Sequence, residues 1–242
     1  MKKFTALLIV LFVAASLFAA TGLTVKAGGA FDLFFLRTDY SDGDAPYRQT
    51  YSGNGFGFDL GVQYDIGRNL MVYADYNMVF PYDFVITNTD KSGERSESET
   101  FRELLSIFEK AGIKVRSLDF FLDASVGAAY RFDLGSVKLA VGGGAFCDLL
   151  FAQFKANIEA DTEERADITF FNVGVSTLID AKYMVTENIG VNLTVMPQLG
   201  IYSDRAVTIY ENGKKDEDES IRLDGVGLSF VMPVTIGASY SF

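Results

Sequence analysis

The chain has 242 residues, 49 % hydrophobic and 22 % charged, which is enough apolar material for a folded core and excludes global disorder. Its 21 Lys and Arg against 32 Asp and Glu give a net charge of −11, which disfavours nucleic acid as a partner because phosphate contacts need cationic side chains. The single Cys excludes an internal disulfide, and the absence of His excludes a histidine base and removes the commonest zinc ligand.

The N-terminal segment has the layout of a secretory signal peptide. Lys2 and Lys3 precede an almost wholly apolar stretch, and small residues follow it. The sequence predicts a signal peptide over 1–20, cleaved between residues 19 and 22, and a mature barrel domain over 21–242. An uncleaved anchor helix is the alternative. Elsewhere, no run reaches the roughly 18 apolar residues of a membrane-spanning helix.

After that segment, apolar residues alternate with small or polar ones in runs longer than ordinary strands. A strand places successive side chains on opposite faces, so each run has one apolar face. The clearest run is the last one, in which Leu228, Phe230 and Met232 continue in alternation to Phe242. Eight such runs are predicted to be strands: 23–37, 54–66, 70–80, 117–132, 137–154, 168–185, 189–202 and 226–242.

The connections between these strands alternate in length. Three are tight turns, at 67–69, 133–136 and 186–188. Four are long and polar: 38–53, 82–116, 155–167 and 203–222. This pattern is typical of an outer-membrane barrel, because a sheet in lipid must close on itself to satisfy its backbone amides. We therefore expect an all-β fold, an eight-stranded antiparallel up-and-down transmembrane β-barrel. The long connections 82–116 and 203–222 either contain another hairpin or extend existing strands above the membrane.

One of the long connections also carries a helical signal. Apolar residues recur at helical spacing from Phe101 onward, Thr100 and Glu103 fit a capping box, and Gly112 fits a helix stop. The spacing predicts a short amphipathic helix over about 100–111, outside the membrane plane. Such a helix caps the barrel mouth, lies on the outer leaflet or packs on its own loops.

The chain ends in Ala238-Ser239-Tyr240-Ser241-Phe242, a terminal aromatic residue with a Tyr two positions before it. With the eight-strand pattern, this ending resembles the small eight-stranded outer-membrane proteins: the outer membrane protein A transmembrane domain and the outer membrane protein X, Opa and outer membrane protein W groups. The resemblance implies a protein surrounded by outer-membrane lipid in a diderm bacterium, with Tyr240 and Phe242 as an assembly signal read by the barrel-assembly machinery. An even strand number places both termini on the periplasmic side.

The bore of an eight-stranded barrel is narrow enough for side chains to fill. Inward positions near the predicted periplasmic end are charged, and buried charges must pair. We expect an ion-pair network there: Lys26, Asp65, Arg131, Lys138, Asp180 and Lys182. Inward positions toward the extracellular end are apolar: Phe34, Leu36, Phe146, Leu150, Ile168 and Phe170. These six either line a small hydrophobic pocket, as the resemblance to the outer membrane protein W group suggests, or pack a solid core.

Aromatic residues near both ends of the strands are predicted to form girdles, with Tyr51 and Tyr82 at the outer interface and Tyr130 at the inner one. No metal or other cofactor is expected, because the acidic loops lack calcium-loop spacing and the glycine-rich stretches lie inside strands. The related small outer-membrane enzymes use a His, which this chain lacks, so we expect no enzymatic activity.

Two functions of different classes remain. The first is a structural or surface-interaction barrel whose lumen is plugged and whose long acidic extracellular loops meet an unknown extracellular partner. The alternative is a narrow transport or binding barrel for a small apolar molecule. A filled upper lumen favours the first function, and a continuous apolar cavity favours the second.

Overall fold

The structure is a computed structural model that describes residues 22–42, 45–89, 99–100, 114–159, 162–211, 213–225 and 228–242. These residues form eleven strands: β1 (Leu23–Asp42), β2 (Ala45–Asp65), β3 (Leu70–Thr89), β4 (Glu99–Thr100), β5 (Lys114–Leu134), β6 (Val137–Glu159), β7 (Thr162–Met184), β8 (Ile189–Val195), β9 (Gln198–Glu211), β10 (Lys214–Gly225) and β11 (Ser229–Ser241). The predicted signal peptide lies outside the described residues. So does the predicted loop helix, apart from Thr100 in β4.

The eleven strands build eight barrel strands. β8 and β9 are successive parts of one barrel strand, interrupted at Met196 and Pro197, and β10 and β11 are successive parts of another. β4 is a two-residue strand that pairs with β3. β1 pairs with β2 on one side and with β11 on the other, and all pairings are antiparallel, so the ring is closed. The predicted all-β barrel of eight antiparallel strands is confirmed.

The stagger of the barrel follows from tracing paired residues around the ring. Starting at Val25 on β1, successive partners lead through each barrel strand to Phe230 on β11. Phe230 pairs with Phe35, so the trace returns to β1 ten residues beyond its start. With ordinary strand spacing, this stagger tilts the strands by about 40° from the barrel axis, within the usual range.

Side chains alternate between the lumen and the outer surface. On β1, Leu33 and Phe35 are exposed, whereas Phe34 between them is 3 % exposed. The same alternation runs along the whole of β8. Large apolar side chains therefore lie mainly outside and most buried polar ones inside, which is the arrangement of a barrel in lipid. Among the described residues, no helix has the length and apolar character needed to cross a membrane.

The two ends of the barrel differ. The turn end carries the first described residue, Gly22, the C-terminal Phe242 and the short turns, and Gly135 lies in one of these turns at a φ of 82°. The loop end carries the long connections, which are shorter than predicted because the strands continue through them. β6 and β7 have 23 residues each, whereas about 9–11 residues cross an outer membrane. β9 and β10 pair as a hairpin at this end, so strand extension replaces most of the loop predicted over 203–222.

Exposed aromatic side chains lie near both ends of the apolar surface, with Phe80 and Tyr82 toward the loop end and Tyr130 toward the turn end. The prediction for Tyr51 is wrong, because this residue is buried in the lumen instead of the outer girdle. β2 runs without a break through position 51, so Tyr51 keeps the inward parity of Asp59.

Candidate functional site

The lumen contains three levels between the turn end and the loop end. Hydrogen-bonded and ion-paired side chains share the first level with a second apolar cluster that includes Met71, Tyr73 and Leu178. Buried carboxylates lie in the middle, and apolar side chains predominate toward the loop end. Because the strands cover the outside with apolar residues, the lumen is where the described chain gathers its buried polar chemistry.

The first level centres on Lys26, which is buried and forms an ion pair with Asp75. The Lys26 ammonium also donates a hydrogen bond to Thr194 Oγ1 at 3.3 Å, and the Thr194 hydroxyl donates to Asp180 at 2.6 Å. Two side-chain amides donate to the same carboxylate: Gln63 and Asn192. Buried charges are tolerated when they are paired and hydrogen-bonded in this way.

The ion pair of Lys26 and Asp75 depends on Gly61. The three residues are register partners across β1, β2 and β3, so Gly61 lies between the two charged ones. A Cβ at position 61 would overlap the side chains of both. Asp75 is absent from the predicted network, although its inward parity and the intervening glycine are both visible in the sequence.

The other predicted charges form separate groups near the turn end. Arg131 Nη1 donates to Asp65 Oδ2 at 2.6 Å in a partly exposed ion pair. Lys182 Nζ donates to Ser241 Oγ at 2.7 Å. Lys138 is the register partner of Lys182 and joins no ion pair within the described ranges. Five of the six predicted residues therefore belong to three separate groups, and Lys138 belongs to none of them.

The middle of the lumen is rich in buried carboxylates. The buried aspartates are Asp32, Asp59, Asp75, Asp123, Asp148 and Asp180, and the buried basic residues are Lys26, Lys182 and Arg205. The described lumen therefore holds three more acidic than basic side chains. In the described part of the chain, no three acidic or cysteine side chains are grouped so that they could hold a metal ion.

Side-chain amides donate hydrogen bonds to most of the buried carboxylates that have no basic partner. Asp123 accepts hydrogen bonds from Gln198 at 2.8 Å and from Asn77 at 3.4 Å. Asp148 accepts one from the amide of Asn172 at 2.5 Å. Asp32 is fully buried, and neither of its carboxylate oxygens has a hydrogen-bond partner among the residues that the structure describes.

An apolar cluster extends from the middle of the lumen toward the loop end: Ala30, Phe34, Leu36, Tyr51, Val79, Phe121, Leu150, Phe170 and Val231. The rings of Phe34 and Phe121 stack with centroids 5.7 Å apart. Those of Tyr51 and Phe170 meet edge to face at 6.0 Å. No member exposes more than 4 % of its surface.

Four of the six residues predicted to line a pocket belong to this apolar cluster: Phe34, Leu36, Leu150 and Phe170. Phe146 is buried outside the cluster, where a Cβ on Gly174 would lie 2.6 Å from its ring. Ile168 is half-buried. The six residues are therefore buried or half-buried, and four of them contact one another in one cluster.

Arg205 in the lumen is a residue that sequence reasoning missed. An extra residue in β9, Ile201, forms a β-bulge opposite β7. Ile201 and Tyr202 are both exposed, and the inward positions shift to Ser203 and Arg205. The Arg205 guanidinium then lies over the Tyr51 ring, 5.1 Å from its centroid. No residue pattern in this segment predicts the bulge. Strict alternation from Gln198 would place the Arg205 side chain on the outer surface.

The barrel wall changes beside the apolar cluster. Among the described residues, pairing between β3 and β5 ends at Val79 and Phe121. β3 nevertheless continues to Thr89, and β5 begins at Lys114. Both of the last paired residues belong to the apolar cluster, and beyond them β3 pairs with β4 at Val85 and Ile86.

No protein-family model matches the chain, and no curated protein matches its sequence. Solved structures do match its fold. A major outer membrane protein from Thermus thermophilus has a TM-score of 0.54 at 12 % identity, over 88 % of this chain and 99 % of that one. The outer membrane protein OprG from Pseudomonas aeruginosa has a TM-score of 0.51 at 11 % identity, over 92 % of this chain and 96 % of that one. At these identities the likeness establishes the fold alone, and the predicted outer-membrane barrel fold is confirmed.

Proposed function

We propose that the protein is an integral, non-enzymatic outer-membrane barrel with a plugged lumen and a structural or surface-interaction role. Its turn end faces the periplasm and its loop end faces outward. The observation that supports the proposal is the burial of the lumenal side chains. Buried rings pack together toward the loop end, and the Lys26 network lies below them. An eight-stranded barrel filled in this way has no water-filled path.

The extended strands support the interaction role. Beyond the outer aromatic residues, β6, β7, β9 and β10 continue as a paired sheet. Arg165 on this sheet lies 3.9 Å from the centroid of the Tyr210 ring and pairs with Asp167 at 2.9 Å. Such contacts give the sheet a defined surface, and loops held by a rigid scaffold are common binding sites. The acidic extracellular connections are the part that would meet an unknown extracellular partner.

Single-channel recording tests the plugged lumen. The mature chain is refolded in lipid, its folding is verified by heat-modifiable gel mobility, and its conductance is measured in a planar bilayer. We expect an electrically silent barrel. The double variant Phe34→Ala/Phe121→Ala, which removes two stacked rings from the plug, should show discrete steps and proves that the assay detects an open bore. Steps of comparable size from the unmodified barrel would contradict the proposal.

Cysteine labelling in cells tests the orientation. In a Cys147→Ser background, Lys214→Cys places a thiol on the β9–β10 hairpin and Glu187→Cys places one in a short turn. Both positions are exposed, so they are matched in accessibility. A membrane-impermeant maleimide applied to intact cells should label position 214 alone. Both positions should react after the outer membrane is permeabilised. Labelling of position 187 alone in intact cells would mean that the topology is the reverse of the one proposed.

The assembly signal is the second element of the proposal. The rings of Tyr240 and Phe242 meet with centroids 4.8 Å apart, and Tyr240 is exposed on the outer surface. We expect Tyr240→Ala/Phe242→Ala to reduce the folded barrel in cells while leaving refolding in detergent largely intact. Equal losses in both settings would mean that the pair acts through stability and not through the assembly machinery.

A narrow transport or binding barrel for a small apolar molecule is the second candidate. The observation that favours it is the end of the pairing between β3 and β5 at Val79 and Phe121, which belong to the apolar cluster. An apolar solute could reach the cluster there from the outer leaflet. Equilibrium binding of a fluorescent apolar probe to the barrel in nanodiscs tests this function. Saturable binding that Phe121→Trp abolishes would support it, and linear partitioning equal to that of empty nanodiscs would remove it.

A further inference from the structure

The lumen carries negative charge that the described chain does not neutralise. Asp32, Asp123 and Asp148 are each at most 1 % exposed, and none of them joins an ion pair with a described residue. We call these three residues, with the amides of Asn77, Asn172 and Gln198, the upper acidic band. Buried carboxylates of this kind need a compensating positive charge or become protonated.

A second observation concerns the atoms that lack partners in this band. Both oxygens of Asp32 are without a hydrogen bond, as is Oδ2 of Asp148. The amide oxygens are also without a donor, because the amide nitrogens point to carboxylates: Asn77 Oδ1, Asn172 Oδ1 and Gln198 Oε1. Every unpartnered atom of the band is therefore an oxygen acceptor.

We propose that the upper acidic band binds one hard cation of the Ca²⁺ class, with Asp32 as its principal ligand and amide oxygens completing the shell. Carboxylate and carbonyl oxygens are the ligands that Ca²⁺ takes. Since no three acidic side chains of the described chain are grouped, the site combines few carboxylates with neutral oxygens. Members of the apolar cluster lie on both sides of Asp32 along β1, at Ala30 and Phe34, and the ion pair of Lys26 and Asp75 lies toward the turn end. The ion therefore enters as the barrel closes and exchanges slowly afterwards.

Refolding in defined salts tests the site. The mature chain is refolded with a chelator in N-methylglucamine chloride, or with CaCl₂, MgCl₂ or NaCl at equal ionic strength. After gel filtration, bound metal is counted by mass spectrometry, and the thermal midpoint is taken from heat-modifiable mobility. We expect about one Ca²⁺ retained per barrel and a higher midpoint than in N-methylglucamine, because a ligand of the folded state stabilises it.

Asp32→Asn should lose both the retained ion and the salt-specific rise in midpoint, while Glu187→Gln, the same change at an exposed turn, should keep both. Asp148→Asn gives an independent test should Asp32→Asn fail to refold. Three results would overturn the proposal. They are a barrel that retains no ion, retention that Asp32→Asn and Asp148→Asn leave unchanged, and a midpoint that depends on pH but not on the cation, which would mean that protons neutralise the band.

Discussion

Near the turn end of the lumen, Lys26 and Asp75 meet over Gly61, and their neighbours are bound by hydrogen bonds of fixed direction. Near the loop end, Phe34 and Phe121 stack among apolar side chains, whose van der Waals contacts have no preferred direction. Both regions lie in the same bore, but the first requires particular partners and the second requires side chains of sufficient volume. The polar region should therefore respond to loss of one partner, and the apolar region to loss of size.

The largest expected effect comes from breaking the buried ion pair. Lys26→Met leaves Asp75 buried without its counter-charge and should lower the free energy of unfolding by about 3–5 kcal/mol. Urea titration of the refolded barrel in detergent measures it. Lys138→Met, which breaks no ion pair among the described residues, is the matched control and should change stability by about 0.5 kcal/mol or less. The double variant Lys26→Met/Asp75→Leu should recover most of the loss, and failure to recover would mean that Lys26 acts through packing.

The next effect comes from the apolar cluster. Phe121→Ala empties a fully buried ring position and should lower the free energy of unfolding by about 3 kcal/mol, measured by the same titration. Phe121→Leu should cost less, because it conserves most of the volume. Phe80→Ala, at an exposed aromatic on the outer surface, should also cost less. Equal losses for Phe121→Ala and Phe80→Ala would show that the bore is not packed at this level.

A glycine pair sharpens the comparison. Gly61→Ala places a methyl against Lys26 and Asp75 and should destabilise the barrel by about 1–3 kcal/mol. Gly29→Ala is the matched control, since the nearest atom to its added Cβ is the Gly57 carbonyl oxygen at 4.0 Å. That variant should be neutral or slightly stabilising in thermal gel shifts, because alanine suits a strand interior better than glycine. Equal shifts for the two variants would remove the steric role of Gly61.

The smallest effect belongs to the partly exposed ion pair at the turn end. Arg131→Gln should lower the free energy of unfolding by less than about 1 kcal/mol, because solvent screens the interaction with Asp65. A double-mutant cycle with Asp65→Asn, repeated at low and high salt, measures the coupling. Coupling as large as that of Lys26 with Asp75, or insensitive to salt, would place this pair in the buried network.

Much of the barrel could be predicted because alternation is a local property. The inward parity of Phe34 and the outward parity of Phe35 follow from their places in one strand. The sequence places Tyr51 wrongly because it predicts a loop over 38–53, and side chains in a loop do not alternate between two faces. The strand extension that buries Tyr51 arises from pairing with β1 and β3. Such pairing depends on distant residues.

The candidate site was less predictable. Lys26 and Asp180, which the sequence predicts to face the lumen, are both buried, but the sequence identifies neither their partners nor Arg205. Partners across a bore depend on the stagger of the ring, here ten residues, and on the bulge at Ile201. Neither leaves a local pattern.

By itself, the sequence determined the strand alternation, the eight-strand count and the apolar outer surface, since each of these follows from the chemistry of neighbouring residues. Only the tertiary structure decided that Asp75 pairs with Lys26, that Phe121 stacks on Phe34 and that the Asp32 carboxylate has no hydrogen-bond partner among the described residues. The physical reason is that closure of the ring with one stagger chooses which distant side chains share a level of the lumen. Hydrogen bonds and ion pairs act only within that level.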